Sequence, residues 1–375
     1  MRSNPEKQLL TLLSKKSSYY LQRFPNFNVK KTRKVILFGA GQMGAIYLNY
    51  FNKLGIEVVV FFDNDLGKVG QRINNIPILG TKKLADYPEK TPIIITSIFD
   101  EEIFKQLRQV GFKKVWSHAF LATFYTELFP NPYWSNPIEV LLENKENLIN
   151  TIKLFSDDTS KHVFLSVIKY RLFLDRKYIR KIKSFLKNEY FDGKIISISE
   201  KEVFVDGGAY DGDTLIKFIK ASKNRYKKIF AFEPDNTSFN VLKKFTKGSK
   251  DKRIKIYKYG LAEKNKTIKF TNDGTLGSRF DKDATQEIKA ISVDKLLSKE
   301  NISMIKLDIE GAEMEALIGA EKIIKKNKPK LAICIYHKPD DIWRLPLFMK
   351  KLNPSYRFYL RHYSDFLYDT VCYAI

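Results

Sequence analysis

Three segments of this chain carry residue types that can do chemistry: VFVDGGAYDGDT at 203–214, IFAFEPD at 229–235 and MIKLDIEGAEMEAL at 304–317. Each is an apolar run of strand type that ends in a carboxylate and meets a glycine or a helix start. In the first, the run ends at Asp206. Gly207, Gly208 and Gly212 shape a loop around Ala209, Tyr210 and Asp211, and Thr214 opens a helix. Glycine is needed where backbone must approach a ligand with no Cβ in the way. A helix N-terminus adds free N–H groups and partial positive charge, which suit pyrophosphate or a carboxylate. Tyr210 stands where such loops usually carry their middle glycine, and its bulk favours the carboxylate over pyrophosphate. Glu233 ends the second run, 27 residues after Asp206. A carboxylate there can accept both hydroxyls of a ribose, and Pro234 sets the turn. Asp308, Glu310 and Glu313 crowd the end of the third run. Three carboxylates at one strand end repel each other, and persist most easily facing a cation, an incoming hydroxyl or water.

Taken with the downstream runs IYHKPDDIWRLP and LNPSYRFYLRHYS, these motifs resemble the FkbM family of methyltransferases over about residues 200–375. Tyr210–Asp211 stand where many members have Asn and an aliphatic residue. The resemblance implies S-adenosyl-L-methionine as cofactor and O-methyl transfer to a sugar, glycan or other secondary hydroxyl, as in polysaccharide biosynthesis. Asp206, Gly207, Gly208, Ala209, Tyr210, Asp211, Gly212, Thr214, Glu233, Pro234 and Asp308 are the expected cofactor residues. In-line methyl transfer needs an acceptor oxygen about 3 Å from the methyl carbon and a group to take its proton. His337 follows the strand LAICIY on the sheet edge of Asp308 and is the first candidate base, with Asp308, Glu310 and Glu313 as rival bases or ligands for a divalent metal. The oxygen-rich cluster would suit Mg²⁺, but no metal is assigned. Ser278 and Arg279, in DGTLGSRF, read as an ordinary surface loop within reach of an acceptor.

A second glycine signature lies upstream. FGAGQMG fits the dinucleotide pattern at Gly39, Gly41 and Gly44, with Gln42 and Met43 between, and Asp63 ends the next strand. The stretch FFDNDLGKVGQRINNIPILG resembles small nucleotide-binding modules attached to sugar-modifying enzymes. Three readings stay open: a nucleotide, nucleotide-sugar or NAD site; a packing or homodimerisation module; or an NAD-dependent oxidoreductase.

The elements that would position these residues alternate. KVILF, EVVVFFD, PILG, TPIIITS and KKVWSH read as strands between helices, a parallel Rossmann-like unit. Residues 138–190 read as helices, with a cap at 157–160. From 203 strands and helices alternate again, and YRFYLRHY and YDTVCYA read as a closing antiparallel hairpin. The expected class is α/β, with two Rossmann-like domains. The second has a mostly parallel seven-stranded sheet of methyltransferase type with a terminal antiparallel hairpin. The expected division is 1–30 helix and loop, 31–120 nucleotide-binding module, 121–200 helical connector and 201–375 methyltransferase domain.

The net charge of +24 would attract nucleic acid, anionic membrane or acidic glycan. The basic residues are mostly scattered lysines, and nothing favours nucleic acid. The densest stretch, 161–190, reads as a solvated helix face or as a surface for an anionic substrate or membrane. A non-catalytic docking protein is thus a further alternative. No transmembrane run and no signal-peptide core appear, and Cys334 and Cys372 read as buried thiols; a cytoplasmic location is expected.

Overall fold

The computed structural model describes residues 4–130, 137–271, 279–280 and 286–375. The chain divides into two compact units. One comprises Ser14–Glu143 with Leu172–Leu174, the other Met1–Leu13, Asn144–Arg171 and Asp175–Ile375.

The first unit is built on a six-stranded sheet. Its strands are β1 (Lys34–Phe38), β2 (Glu57–Asp63), β3 (Arg72–Ile73), β4 (Ile76–Gly80), β5 (Ile93–Ile95) and β6 (Val115–Ser117), in the order β3-β4-β2-β1-β5-β6. All pairings are parallel except β3 with β4. Strands such as Ile93–Ile95 are buried throughout, which explains their unbroken apolar sequence. Strand order reverses between β1 and β5, which opens a crevice at their carboxyl ends.

The second unit holds β7 (Val203–Gly207), β8 (Lys228–Phe232), β9 (Ile254–Tyr257), β10 (Gly260–Leu261), β11 (Lys266–Thr271), β12 (Arg279–Phe280), β13 (Gln286–Ile291), β14 (Met304–Leu307), β15 (Lys330–Cys334), β16 (Phe358–His362) and β17 (Thr370–Ala374). Seven of them form the sheet β16-β17-β15-β14-β7-β8-β9, parallel from β15 to β9 and closed by the antiparallel β16–β17 hairpin. This is the sheet expected from the sequence. Its switch point lies between β7 and β14.

Three features differ from the sequence reading. Residues 260–291 build a separate small sheet, β10-β13-β11-β12. The N-terminal helix breaks into Pro5–Leu13 and Ser17–Leu21 around the polar Ser14–Lys16. The first part of the basic stretch is not a solvated face. Helix Asp158–Phe173 is buried on most sides, and Arg171 is 1% exposed. Phe155 and Lys183, on either side of this helix, each form an isolated bridge to β16. Cys334 and Cys372 are free and buried. Among the described residues no helix is long and apolar enough to cross a membrane.

Candidate active site

At the carboxyl edge of the seven-stranded sheet, the loop after β7 and the loop after β14 meet without room for side chains. A Cβ on Gly208 would lie 1.9 Å from the Asp308 carbonyl oxygen, and Gly208 has φ +74°. Both facts demand glycine. The loop is pinned from the next strand. The amides of Gly208 and Ala209 donate to the Phe232 carbonyl, each at 3.0 Å. Glu233 accepts the Tyr210 amide at 2.9 Å and the Asp235 amide at 2.8 Å. Burial pushes the Glu233 carboxyl up to about 7 despite these bonds.

A cleft of about 250 Å³ opens here, lined among others by Gly208, Tyr210, Thr214, Glu233, Pro234 and Asp308. Gly212 caps helix Asp213–Ala221 in left-handed backbone, and Asp211 is exposed. Asp206 turns inward. It is fully buried and pairs with Lys306 Nζ at 3.1 Å. Lys306 also donates to the carbonyls of Gly207, at 3.1 Å, and Gly208, at 2.7 Å. Burial alone would discharge Lys306, but Asp206 and Asp308 outweigh it and hold the ammonium charged. Burial raises Asp206 to about 6, which leaves it ionised at neutral pH opposite Lys306.

The third segment brings Asp308, Glu310, Glu313 and His337 together. His337 Nδ1 lies 3.0 Å from Glu313 Oε1. Its Nε2 lies 3.4 Å from Asp308 Oδ1 and 3.5 Å from Glu310 Oε2. Burial disfavours the imidazolium, yet Glu313, Glu310 and Asp308 together push His337 up to about 10. Burial raises Glu310 to about 8, helped by Asp308 and Glu313 and opposed by His337. Asp308 goes the other way. Burial would raise it, but Lys306, His337 and two phenols hold it below the usual range. Those phenols are Tyr190, at 2.8 Å, and Tyr336, at 3.1 Å. Asp308 and Glu310 line the cleft, whereas His337 stands behind them with only 7% of its side chain exposed. Ligand atoms of Asp308, Glu313 and His337 lie within 4.8 Å of one another, close enough to share a divalent ion.

Sequence reasoning passed over Lys306, Tyr190, Glu189, Tyr336 and Asp369. The signal for Lys306 was a lysine inside the apolar run of a central strand. The signal for the others is only in the fold. Four residues lining the cleft, Tyr190 (φ 65°), Tyr210 (φ 45°), Glu310 (φ 54°) and Asp369 (φ 60°), hold left-handed backbone. Such backbone is unfavourable for large side chains and persists where surrounding contacts enforce it, as functional sites do. Ser278 lies outside the described residues, and of Arg279 only the backbone is described, in β12.

In the first unit the other glycine loop has the same design. A Cβ on Gly39 would lie 2.7 Å from the Thr96 carbonyl oxygen, across the switch point between β1 and β5, and Gly39 has φ +119°. Gly41 caps the helix begun by Gln42 and Met43, and Gly44 packs against Gly39. Asp63 accepts the Ala40 amide at 2.7 Å and meets Lys68 at 3.2 Å.

Residues 206–365 match the methyltransferase FkbM domain. This chain carries an FkbM methyltransferase domain. The FkbM match contains every residue of the cleft described above except Glu189, Tyr190 and Asp369. The crystal structure of Methyltransferase FkbM from Methylobacillus flagellatus KT shares the fold, with a TM-score of 0.79 over 99% of both chains at 21% identity. Residues 31–115 match the C2185-like N-terminal family. Among curated proteins, the redox-sensing transcriptional repressor Rex of Treponema denticola is 28% identical over 104 residues, 26% of this chain and 49% of that protein. The Rex of Caldicellulosiruptor saccharolyticus is 32% identical over 94 residues, 23% of this chain and 43% of that protein. The chain thus spans about half the length of these curated relatives or less.

Proposed function

We propose that the protein transfers a methyl group from S-adenosylmethionine to a hydroxyl oxygen of a sugar, glycan or nucleotide-linked sugar. The observation that carries this reading is one cleft, at the switch point of the sheet, walled by a glycine loop, a strand-end glutamate and a carboxylate–histidine cluster. The residues present suit the cofactor. Glu233 is fixed by two backbone amides where a ribose would lie, and Asp308, held anionic, lends the cleft wall negative potential. That potential suits a sulfonium and is unlike the +24 chain around it. When bound, S-adenosylmethionine supplies an electrophilic methyl group whose leaving group departs neutral.

The chain's own task is to orient the acceptor oxygen and take its proton. Glu310 faces the cleft, and a carboxyl raised to about 8 is a stronger proton acceptor than an ordinary one. Asp308, clamped by Tyr190 and Tyr336, stays anionic and holds its orientation. His337, beside Glu313, offsets the cluster's charge from behind, with Nε2 3.5 Å from Glu310 Oε2.

A second reading concerns the first unit. The glycine loop at 39–44, with Asp63 and the likeness to Rex, supports binding of a nucleotide such as NAD there.

Calorimetry with S-adenosylhomocysteine tests the first reading. Binding is expected, and Glu233→Ala is expected to weaken it by roughly 10–100-fold through the lost charge-assisted hydrogen bonds. Binding that is absent, or indifferent to Glu233, sinks the cofactor assignment. A product carrying its new methyl on nitrogen or sulfur, read by mass spectrometry, refutes transfer to oxygen. Titration of NADH fluorescence tests the second reading, which fails if no change occurs or if Gly41→Val leaves the change intact.

A further inference from the structure

Residues 176–188 read RKYIRKIKSFLKN, with six of thirteen basic and none acidic. The frame of this segment is fixed. Ile179 is fully buried, the Ser184 amide donates to the His362 carbonyl at 2.7 Å, and Glu189 and Tyr190 enter the cleft wall. Between these anchors the chain turns its apolar side chains outward. Phe185 is 75% exposed and Leu186 53%, and no other described aromatic is as exposed as Phe185. Lys181 and Lys187 are exposed beside them, and Lys183, also exposed, pairs with Asp365 at 2.6 Å.

Tyr210, a cleft residue, and Tyr368, next to the cleft residue Asp369, are also exposed. Single exposed apolar residues mean little. An adjacent aromatic–aliphatic pair, held out by anchored backbone and flanked by lysines, is a different arrangement. Its chemistry matches a bilayer surface, where ammonium groups meet anionic headgroups and apolar tips enter the acyl boundary. A soluble polyanion would use the lysines but leave Phe185 and Leu186 in water.

We propose that residues 181–187 dock the protein onto an anionic lipid surface, with Phe185 and Leu186 entering it. The docking does not depend on the chemistry assigned to the cleft. Flotation of the full chain with vesicles tests it, using phosphatidylcholine alone and with about 30% phosphatidylglycerol, a surface charge that attracts basic segments. The wild-type chain is expected to float with the anionic vesicles only. Phe185→Ser with Leu186→Ser is expected to weaken binding about tenfold or more by removing the inserted area. Lys181→Glu with Lys187→Glu is expected to abolish it, and both variants are expected to keep the wild-type melting profile. The proposal is overturned by no flotation with anionic vesicles or equal flotation with neutral ones. It is also overturned if the Phe185–Leu186 variant floats as well as wild type, because the diffuse charge would then be responsible.

Discussion

Tyr190 is held in backbone that a tyrosine normally avoids, its amide on the Tyr373 hydroxyl and its own hydroxyl on Asp308. Lys306 and His337, helped by that clamp, keep one carboxylate of the cluster anionic while its neighbour Glu310 is driven up to about 8. Two carboxyls two residues apart are thereby pushed in opposite directions, which suits the proposed roles of anchor for Asp308 and proton acceptor for Glu310. A proton acceptor works only once deprotonated. With Glu310 in that role, kcat/KM for the cofactor rises with pH and levels off above about 8, because below that value the carboxyl is already protonated. Glu310→Gln is expected to flatten this rise and to cut turnover by roughly 100-fold, with cofactor affinity nearly unchanged. A variant that keeps the wild-type profile removes Glu310 from the mechanism. At this scale the glycines and Glu233 were legible, because backbone crowding and strand-end position leave a mark in sequence. Tyr190 was not, since its bond to Asp308 spans 118 residues.

Lys306 shows how far one strand depends on a single buried charge. β14 places it at the centre of the sheet, where its ammonium meets Asp206 and two carbonyls of the glycine loop. Loss of the cation would strand Asp206 as an unpaired buried carboxylate. Lys306→Met is expected to cost about 3–5 kcal/mol in chemical denaturation, and adding Asp206→Asn to recover part of it. A cost below about 1 kcal/mol for the single variant would show the pair to be incidental. The parallel strands themselves were readable because burial on both faces writes continuous apolar runs. The small sheet at 260–291 was not, because in its main strands, β11 and β13, polar residues interrupt the apolar ones and leave no continuous apolar run. Helix Asp158–Phe173 misled for the opposite reason. Its lysines lie part-covered by neighbouring elements, where sequence alone places them in water.

On the scale of the whole chain, the second unit is assembled from separate stretches. Helix Pro5–Leu13 packs on helix Lys145–Leu154, with Leu9 fully buried. Its polar side ties to the following helix, Glu6 to Lys161 at 3.1 Å and Gln8 to Lys169 at 2.7 Å. Leu9→Ala is expected to destabilise this unit by about 2–4 kcal/mol, seen as an earlier unfolding transition. An unchanged transition would mean that the helix is a passive appendage. The alternation of strand and helix made two α/β units visible in the sequence. The return of residues 5–13 to the later unit was hidden, because a nine-residue amphipathic helix carries no label for its partner.

That return has a consequence during synthesis. Residues 5–13 emerge from the ribosome more than a hundred residues before the helices that cover Leu9 and Leu13. At roughly 5–20 residues per second, the delay is on the order of 7 to 26 seconds. Within it the intervening unit has time to close its own sheet, while the leading helix waits with its apolar face uncovered. Translation speed across residues 14–143 therefore sets how long this segment is open to chaperones, to proteases and to mispairing with another nascent chain.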